Sequence, residues 1–352
     1  MKTEINNYII NTLEKLVNIP SPSGFTHNAI QFIKKEAEEF GYPTCLNEKG
    51  GLIITILGKA PTNTLGIGAH VDTLGAMVRS ITPEGTLKII PIGGFLMEAI
   101  EGSYCKIHTR NNKTYTGTIL TTMPSVHTYD DARTQKRIPK NMEVRIDEIV
   151  HSKEDVETLG ICSGDFISFD PCFSYTESGF IKSRHLDDKA SVAIILGLLR
   201  EFSKTAYTPD RTLKFIISNY EEIGHGASYL PKDITDFLAI DMGAIGDDLN
   251  GDEYKVSICA LDSSGPYDYE MTNTLINIAK EENLPYAIDI FPHYGSDVSA
   301  ALKGGNNIKG ALIGQGVHAS HGLERTHLYG LMATYELVKQ YIHQGANTNT
   351  KL

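Results

Sequence analysis

The sequence predicts an α/β fold: a mixed, mostly parallel sheet sandwiched by helices, with a small all-β domain inserted into it. Apolar strands alternate with amphipathic helices near both ends of the chain, a pattern typical of a parallel-rich sheet covered on both faces. Between residues 75 and 178 that alternation gives way to short strands and turn signals. Because 352 residues exceed one ordinary core, we assign 1–74 and 179–352 to the α/β domain and 75–178 to the insertion.

The first segment supplies two helices and two strands. Apolar side chains recur at helical spacing over 4–17 and over 27–40, so both ranges are predicted to be amphipathic helices. Residues 51–57 (GLIITIL) are predicted to form a strand. Residues 64–70 (TLGIGAH) are almost all apolar or small, as expected of a strand covered on both faces.

The inserted block contains turn signals but no strong helical pattern. Residues 85–90 follow a Pro-Glu turn and are predicted to form one arm of a hairpin. Asn-Asn at 111–112 and Gly-Asp at 164–165 predict further turns, and the polar stretch 124–141 predicts a mobile loop. We therefore expect a small, barrel-like β domain.

The α/β alternation returns after residue 180. A helix is predicted over 189–202 and a last helix over 326–343. Between them the apolar runs predict four strands, at 212–219, 236–241, 286–291 and 307–313.

Charge and composition restrict the possible partners and location. The net charge is −11, from 43 acidic and 32 basic residues, which argues against nucleic acid or an anionic membrane as the partner. The five cysteines form no CxxC pair, so reduced thiols are expected rather than a disulfide framework. No apolar run reaches ~18 residues, and the first residues lack the apolar stretch of a signal peptide. These features predict a cytoplasmic protein.

The side chains that suggest chemistry lie at element boundaries. His70 and Asp72 follow the strand 64–70, and alternate residues of an extended segment face the same way. His70 can thus bind a metal while Asp72 supports it from outside the ligand sphere. Asp187 opens a helix next to Asp188; a carboxylate there is either a helix cap or, through its two oxygens, a bridge between two cations.

Three further clusters follow the later strands. Glu221 and Glu222 are adjacent after an apolar strand, where burial of both charges is costly unless cations compensate; one of them can bind metal while the other faces the substrate. Asp241 ends another apolar strand. The segment HASHGLERTH supplies His318, His321 and His327, and histidine is the commonest metal ligand.

Taken together, these clusters predict a dinuclear site. Two zinc ions ~3.5–4 Å apart require a histidine and a terminal carboxylate each, plus one shared carboxylate. The remaining glutamate would move protons. Ligands other than cysteine keep the metals Lewis-acidic, as catalytic sites require.

The segments AHVD, LDDK, EEIG and IDMG, together with the late histidine, resemble the glutamyl-aminopeptidase family, also called TET or tetrahedral aminopeptidases. PSPSG, PIGGF and GSDVSA extend the similarity to nearly the whole chain. The resemblance implies a zinc-exopeptidase fold and a cytoplasmic enzyme that cleaves N-terminal residues from peptides. It also implies that the inserted domain serves dimerisation and that the dimers assemble into hollow dodecamers.

The resemblance also implies a role for each site residue. Two divalent ions per subunit are expected, zinc first, with cobalt or manganese as alternatives. Glu221 would be the general base and then acid towards a water held between the metals, and Asp72 would orient His70. Asp187 would bridge the two ions. The metal ligands implied in this way are His70, Asp187, Glu222, Asp241 and His321.

Two departures from the family pattern keep alternatives open. Gly322 and Leu323 stand where the family usually has Ser-Pro, which leaves His318 as an alternative ligand to His321. His225 follows EEIG, where Leu or Arg is common. Metallo-carboxypeptidases and deacylases use a nearly identical ligand series, although their extra domain typically follows the glutamate pair.

A glycosidase is disfavoured because its two carboxylates must lie on opposite sides of a sugar bond, which the adjacent Glu221 and Glu222 do not suit. A metal-stabilised assembly protein would not need Glu221 or Asp72.

Overall fold

Seven α-helices and 19 β-strands build the fold over residues 2–344, the part of the chain that this computed structural model describes. The helices are α1 Lys2–Val17, α2 His27–Glu39, α3 Lys153–Leu159, α4 Leu186–Lys204, α5 Tyr269–Glu281, α6 Asp297–Lys303 and α7 Leu328–Gln344. The strands are β1 Thr44–Leu46, β2 Leu52–Ile56, β3 Ala60–His70, β4 Gly75–Ile81, β5 Leu87–Ile92, β6 Tyr104–His108, β7 Thr114–Thr121, β8 Met142–Ile146, β9 Phe166–Phe169, β10 Ser174–Tyr175, β11 Phe180–Ser183, β12 Arg211–Ser218, β13 Ile234–Ile240, β14 Gly243–Ala244, β15 Val256–Asp262, β16 Gly265–Pro266, β17 Tyr286–Phe291, β18 Lys309–Val317 and β19 Glu324–His327.

A ten-stranded mixed sheet forms the larger domain, in the order β1-β2-β12-β3-β13-β18-β15-β16, with β14 beside β18 and β17 beside β15. The four central strands β12, β3, β13 and β18 run parallel to one another. Their carboxyl ends therefore meet at one edge of the sheet. The outer pairings β1–β2, β2–β12 and β15–β18 are antiparallel. The predicted mixed, mostly parallel sheet is confirmed.

Helices cover both faces of this sheet. On one face α1, α2, α4, α5 and α7 bury the larger apolar cluster, in which α4 is apolar on nearly every side and is buried along most of its length, as expected of a central helix. On the other face α6 packs Val298 and Ala301 against Phe237 and Leu312 of the sheet. The sheet is thus sandwiched, as its apolar strands predict.

The insertion is a closed barrel in the order β4-β5-β8-β7-β6-β9. Its interior is a separate apolar cluster that includes Val78, Ile107, Val144 and Ile167. The predicted barrel-like β domain is therefore present. A three-stranded sheet, β10-β11-β19, follows the barrel within the larger domain.

Some elements were absent from the sequence prediction. Helix α3 is only seven residues long, too short for an apolar period to register, and a capping box between Ser152 and Asp155 starts it. Helices α5 and α6 and strand β15 were also missed, and the predicted loop 124–141 contains two short 3-10 turns. Within residues 2–344, no helix is both long and apolar enough to cross a membrane.

Candidate metal centre

The predicted site residues meet at the carboxyl edge of the parallel strands. His70 is the last residue of β3, and Asp241 comes directly after β13. Glu221 and Glu222 begin a short 3-10 turn just beyond β12. Because these strands are parallel neighbours, side chains from distant parts of the sequence converge there.

Asp187 lies between the two imidazoles of the centre. Its Oδ1 is 3.0 Å from Nε2 of His70, and its Oδ2 is 3.3 Å from Nε2 of His321. The backbone at Asp187 and Asp188 is not helical. The Asp187 carboxylate lines the cleft, and each of its oxygens faces a different histidine.

The other ligand candidates divide between those histidines. Glu222 Oε2 lies 3.5 Å from His321 Nε2. Asp241 Oδ2 and Glu221 Oε2 lie 4.0 and 3.8 Å from His70 Nε2. Two groups of side chains could each hold a metal ion, because the ligand atoms within each group lie within 4.8 Å of one another. One group is His70, Glu221 and Asp241, and the other is His70, Asp187 and Glu222.

The electrostatics of this cluster favour a cation. Burial, and then the charge of Asp187, raises the pKa of Glu222 to about 8 and that of Asp241 to about 7. Burial likewise raises the pKa of Glu221 well above its usual range. Burial lowers the pKa of His321, but Asp187 and Glu222 outweigh it and raise that pKa to about 10. Divalent cations would offset the excess negative charge, and the nitrogen and oxygen donors suit zinc, cobalt or manganese.

Asp72 supports both the histidine and the glutamate pair. Nδ1 of His70 lies 2.9 Å from the backbone oxygen of Asp72 and 3.5 Å from its Oδ1. The Asp72 carboxylate also accepts the N–H groups of Glu221 and Glu222, at 3.1 and 3.3 Å, and the hydroxyl of Ser23. Asp72 therefore fixes the turn that carries the glutamates as well as facing the His70 ring.

The structure brings one histidine of the late segment to the centre. His318 is exposed, and its backbone pairs with Arg325. His327 is buried elsewhere, with Nε2 at 2.8 Å from the backbone oxygen of Ser178. Of the three, His321 is the one that faces Asp187 and Glu222.

The sequence prediction missed several buried carboxylates that hold the ligands in place. Asp188 Oδ2 accepts the N–H of His70 at 3.1 Å. Glu324 accepts the N–H groups of Leu186, Asp187 and His321, at 2.6, 3.1 and 3.2 Å. Asp297 accepts the Ser218 hydroxyl at 2.5 Å and the Ala227 N–H at 2.8 Å, which braces the turn after β12. In the sequence, Asp297 lies in the GSDVSA segment and Glu324 stands three residues after His321. Neither position shows that the side chain is buried, so the sequence does not distinguish these two residues from acidic residues on the surface.

A cleft of about 860 Å³ opens in front of the centre. Its walls are largely apolar beyond the ligand candidates, with Asp247, Asp248 and His293 among the polar lining residues. The apolar wall is formed by Met242, Leu249, Ile290, Phe291, Pro292 and Tyr294. A cleft of this size and apolar character is typical of a small-molecule binding site.

Comparison with known proteins places this geometry in a family. The sequence-family model of the M42 glutamyl aminopeptidases matches residues 50–337. YhfE of Bacillus subtilis, provisionally assigned as an aminopeptidase, is 50% identical over 94% of this chain and 96% of its own. The glutamyl aminopeptidase of Lactococcus lactis is 25% identical over 70% of each chain. The TET1 peptidase of Pyrococcus horikoshii, which assembles into a tetrahedron or a large octahedral shell, superposes with a TM-score of 0.83 at 24% identity over 96% of this chain and 99% of its own.

Proposed function

The chain belongs to the M42 glutamyl aminopeptidase family and is a peptidase, and we propose that it removes N-terminal residues from peptides at a centre that binds two divalent metal ions. The observation that carries the proposal is the position of Asp187, with one oxygen facing His70 and the other facing His321. A carboxylate in that position can serve two cations at once.

The ligands divide into two subsites that share Asp187. We assign His70 and Asp241 to the first subsite, and Glu222 and His321 to the second. When bound, two zinc ions, or cobalt or manganese in their place, would polarise the scissile carbonyl and acidify the attacking water. Each subsite then has one imidazole and one carboxylate of its own, in keeping with the preferences of these metals.

Glu221 is the residue assigned to proton transfer. Asp72 holds its backbone N–H at 3.1 Å, so the side chain is fixed beside the ligands. It accepts a proton from the attacking water as the carbon–oxygen bond forms. It then returns that proton to the amine nitrogen as the carbon–nitrogen bond breaks.

We further propose that the barrel mediates dimerisation and that the dimers form a dodecamer in the cytoplasm. Large apolar side chains are exposed on the barrel and its loops: Ile149 is 90% exposed, Leu96 73% and Tyr104 70%. Such side chains favour a buried interface. The structure of the TET1 peptidase PhTET1-12s, which superposes with a TM-score of 0.82 at 24% identity, is described as a dodecamer.

The test is a substrate panel on metal-free protein reloaded with zinc, cobalt or manganese. Aminoacyl p-nitroanilides should be cleaved, their N-acetylated counterparts should not, and a long peptide should lose residues from its N-terminus in mass spectra. Cleavage of N-acylated amino acids alone, or of C-terminal residues, would instead identify a deacylase or a carboxypeptidase. Two bound metals without hydrolysis of any substrate would favour an assembly protein.

A further inference from the structure

The two histidines of the centre are held in different ways. The His70 side chain is 2% exposed and is fixed by packing, whereas the His321 side chain is 38% exposed. The backbone of His321 is also in the left-handed region, with φ of 62°, which is uncommon for a residue with a side chain. The orientation of the His321 ring therefore depends on its hydrogen bonds more than on its neighbours.

Two groups outside the ligand set make those hydrogen bonds. The His321 Nδ1 donates to the backbone oxygen of Gly94 at 2.5 Å, and its backbone N–H donates to Glu324 at 3.2 Å. With Nδ1 donating to that carbonyl, Nε2 is the ring nitrogen that faces Asp187 and Glu222. A carbonyl acceptor of this kind sets the tautomer and direction of a metal-binding imidazole.

Gly94 does not belong to the domain that carries the other site residues. It lies in the segment 93–100, which connects β5 to β6 of the barrel. Met97 and Ile100 are buried in the barrel core, and the rings of Phe95 and Phe169 pack edge to face with centroids 5.5 Å apart. The position of the Gly94 carbonyl is therefore fixed by the barrel.

The same segment is also bound to the entrance of α4. Nη2 of Arg184 donates to the backbone oxygen of Ala99 at 2.6 Å and to the hydroxyl of Ser103 at 2.8 Å. Arg184 precedes Asp187 by three residues. The barrel segment thus contacts the larger domain at two places, His321 through Gly94 and Arg184 through Ala99.

We propose that the barrel segment 93–100 is a positioning element of the second metal subsite. Through the Gly94 carbonyl it aims His321, and it thereby sets the affinity for the metal held by Glu222 and His321, with little effect on the His70 and Asp241 subsite. This inference rests on the proposed two-metal centre. It gives the inserted domain a role inside each active centre, in addition to assembly.

The segment supplies a displaced variant and a control. Gly93 has φ of +79°, and a Cβ there would lie 2.5 Å from Leu74 Cδ2 and 3.6 Å from Glu222 Oε2. Gly93→Ala should therefore displace the segment and its Gly94 carbonyl. Glu98 is exposed in the same segment, so Glu98→Gln is the control. Inserting one glycine after Gly94 is a second route to the same displacement without a clash.

The measurement is a cobalt titration of the metal-free full-length protein, followed by visible absorption and calorimetry. Wild type and Glu98→Gln should show two binding steps. In Gly93→Ala and in the insertion variant the second step should weaken by about 10- to 100-fold, the usual effect of losing such a partner, while the first is retained. Equal weakening of both steps, or no change in either displaced variant, would overturn the proposal. Wild type with only one step would instead refute the two-metal function.

Wild-type protein gives a test that does not depend on variant folding. Coupling between metal and segment is reciprocal, so the second equivalent of zinc should slow hydrogen exchange of backbone amides in 93–100. Peptides from α5, which carries neither a proposed ligand nor a residue that hydrogen-bonds to one, serve as the internal reference. The inference would be rejected if the hydrogen-exchange rates of the amides in 93–100 did not change when the second equivalent of zinc was added.

Discussion

Replacing Glu221 with glutamine should lower turnover by about 10²- to 10⁴-fold while both metals stay bound. This loss is the usual contribution of a general acid–base group and corresponds to about 2.7–5.5 kcal/mol of activation free energy. Glutamine keeps the shape, and the turn is held through the Glu221 N–H, which donates to Asp72 at 3.1 Å. The side chain is 16% exposed and lies 3.8 Å from His70. The variant should therefore change proton transfer and leave the surrounding geometry intact.

Glu222→Gln is the matched control, since it removes the same charge one residue away. Because Glu222 faces His321 at 3.5 Å, its variant should lose metal from one subsite, and excess zinc should partly restore activity. Zinc content by plasma mass spectrometry and turnover of an aminoacyl p-nitroanilide separate the two roles. If Glu221→Gln lost metal while Glu222→Gln kept two ions and lost turnover, the roles would be exchanged. Near-normal turnover of Glu221→Gln would refute the reasoning.

Three further outcomes are expected. His321→Ala should retain about one metal per chain and His318→Ala two, by the same metal analysis; the reverse would make His318 the ligand. Ile149→Glu should yield a smaller species in light scattering than wild type, whereas Leu57→Glu, 72% exposed on the larger domain, should not; unchanged mass for both would argue against the barrel interface. Burial lowers the pKa of His108 to about 4, so the unfolded chain, with a histidine pKa near 6.5, takes up the proton first. The contribution of His108 to stability should thus be full above about pH 6.5 and be lost towards pH 4, and His108→Gln should flatten that part of a melting-temperature profile.

The fold was largely predictable because its longest elements carry strong local patterns. The range 189–202 carries Val192, Ile195, Leu198 and Leu199 on a predicted helix, and α4 extends that range by three residues at its start and two at its end. Helix α5 was missed although its apolar positions are helically spaced and Asp268 caps it. Short elements such as α6 depend on capping and tertiary packing rather than on periodicity.

The ligand candidates were predictable for a different reason. A polar side chain at the end of an apolar strand is conspicuous, and parallel strands bring such ends together. The Gly94 carbonyl gives no such signal, because every residue has a carbonyl and its contact with His321 spans 227 positions of sequence. The choice of His321 over His318 also depended on the turn that carries it.

Carboxylates at this centre fall into two kinds according to what their oxygens accept. Asp72 and Glu324 each accept three donors from the protein, from hydroxyl or backbone N–H groups. Asp187, by contrast, offers both oxygens to imidazoles. A buried carboxylate whose oxygens are already filled by N–H donors is satisfied without a cation, whereas one that faces only other titratable groups needs a cation or a proton.

That difference gives each kind a distinct response to neutralisation. Asp187→Asn removes charge from both subsites, so metal should be lost while the backbone around it keeps its hydrogen bonds. Glu324→Gln keeps the metal-facing charges but can accept at only one side-chain atom, so the backbones of Asp187 and His321 lose their common anchor. Its metals should bind more weakly and less uniformly rather than be absent. Asp187 thus contributes charge to the metal ligands, whereas Glu324 contributes to their position. The number of protein donors that each carboxylate accepts distinguishes these two roles.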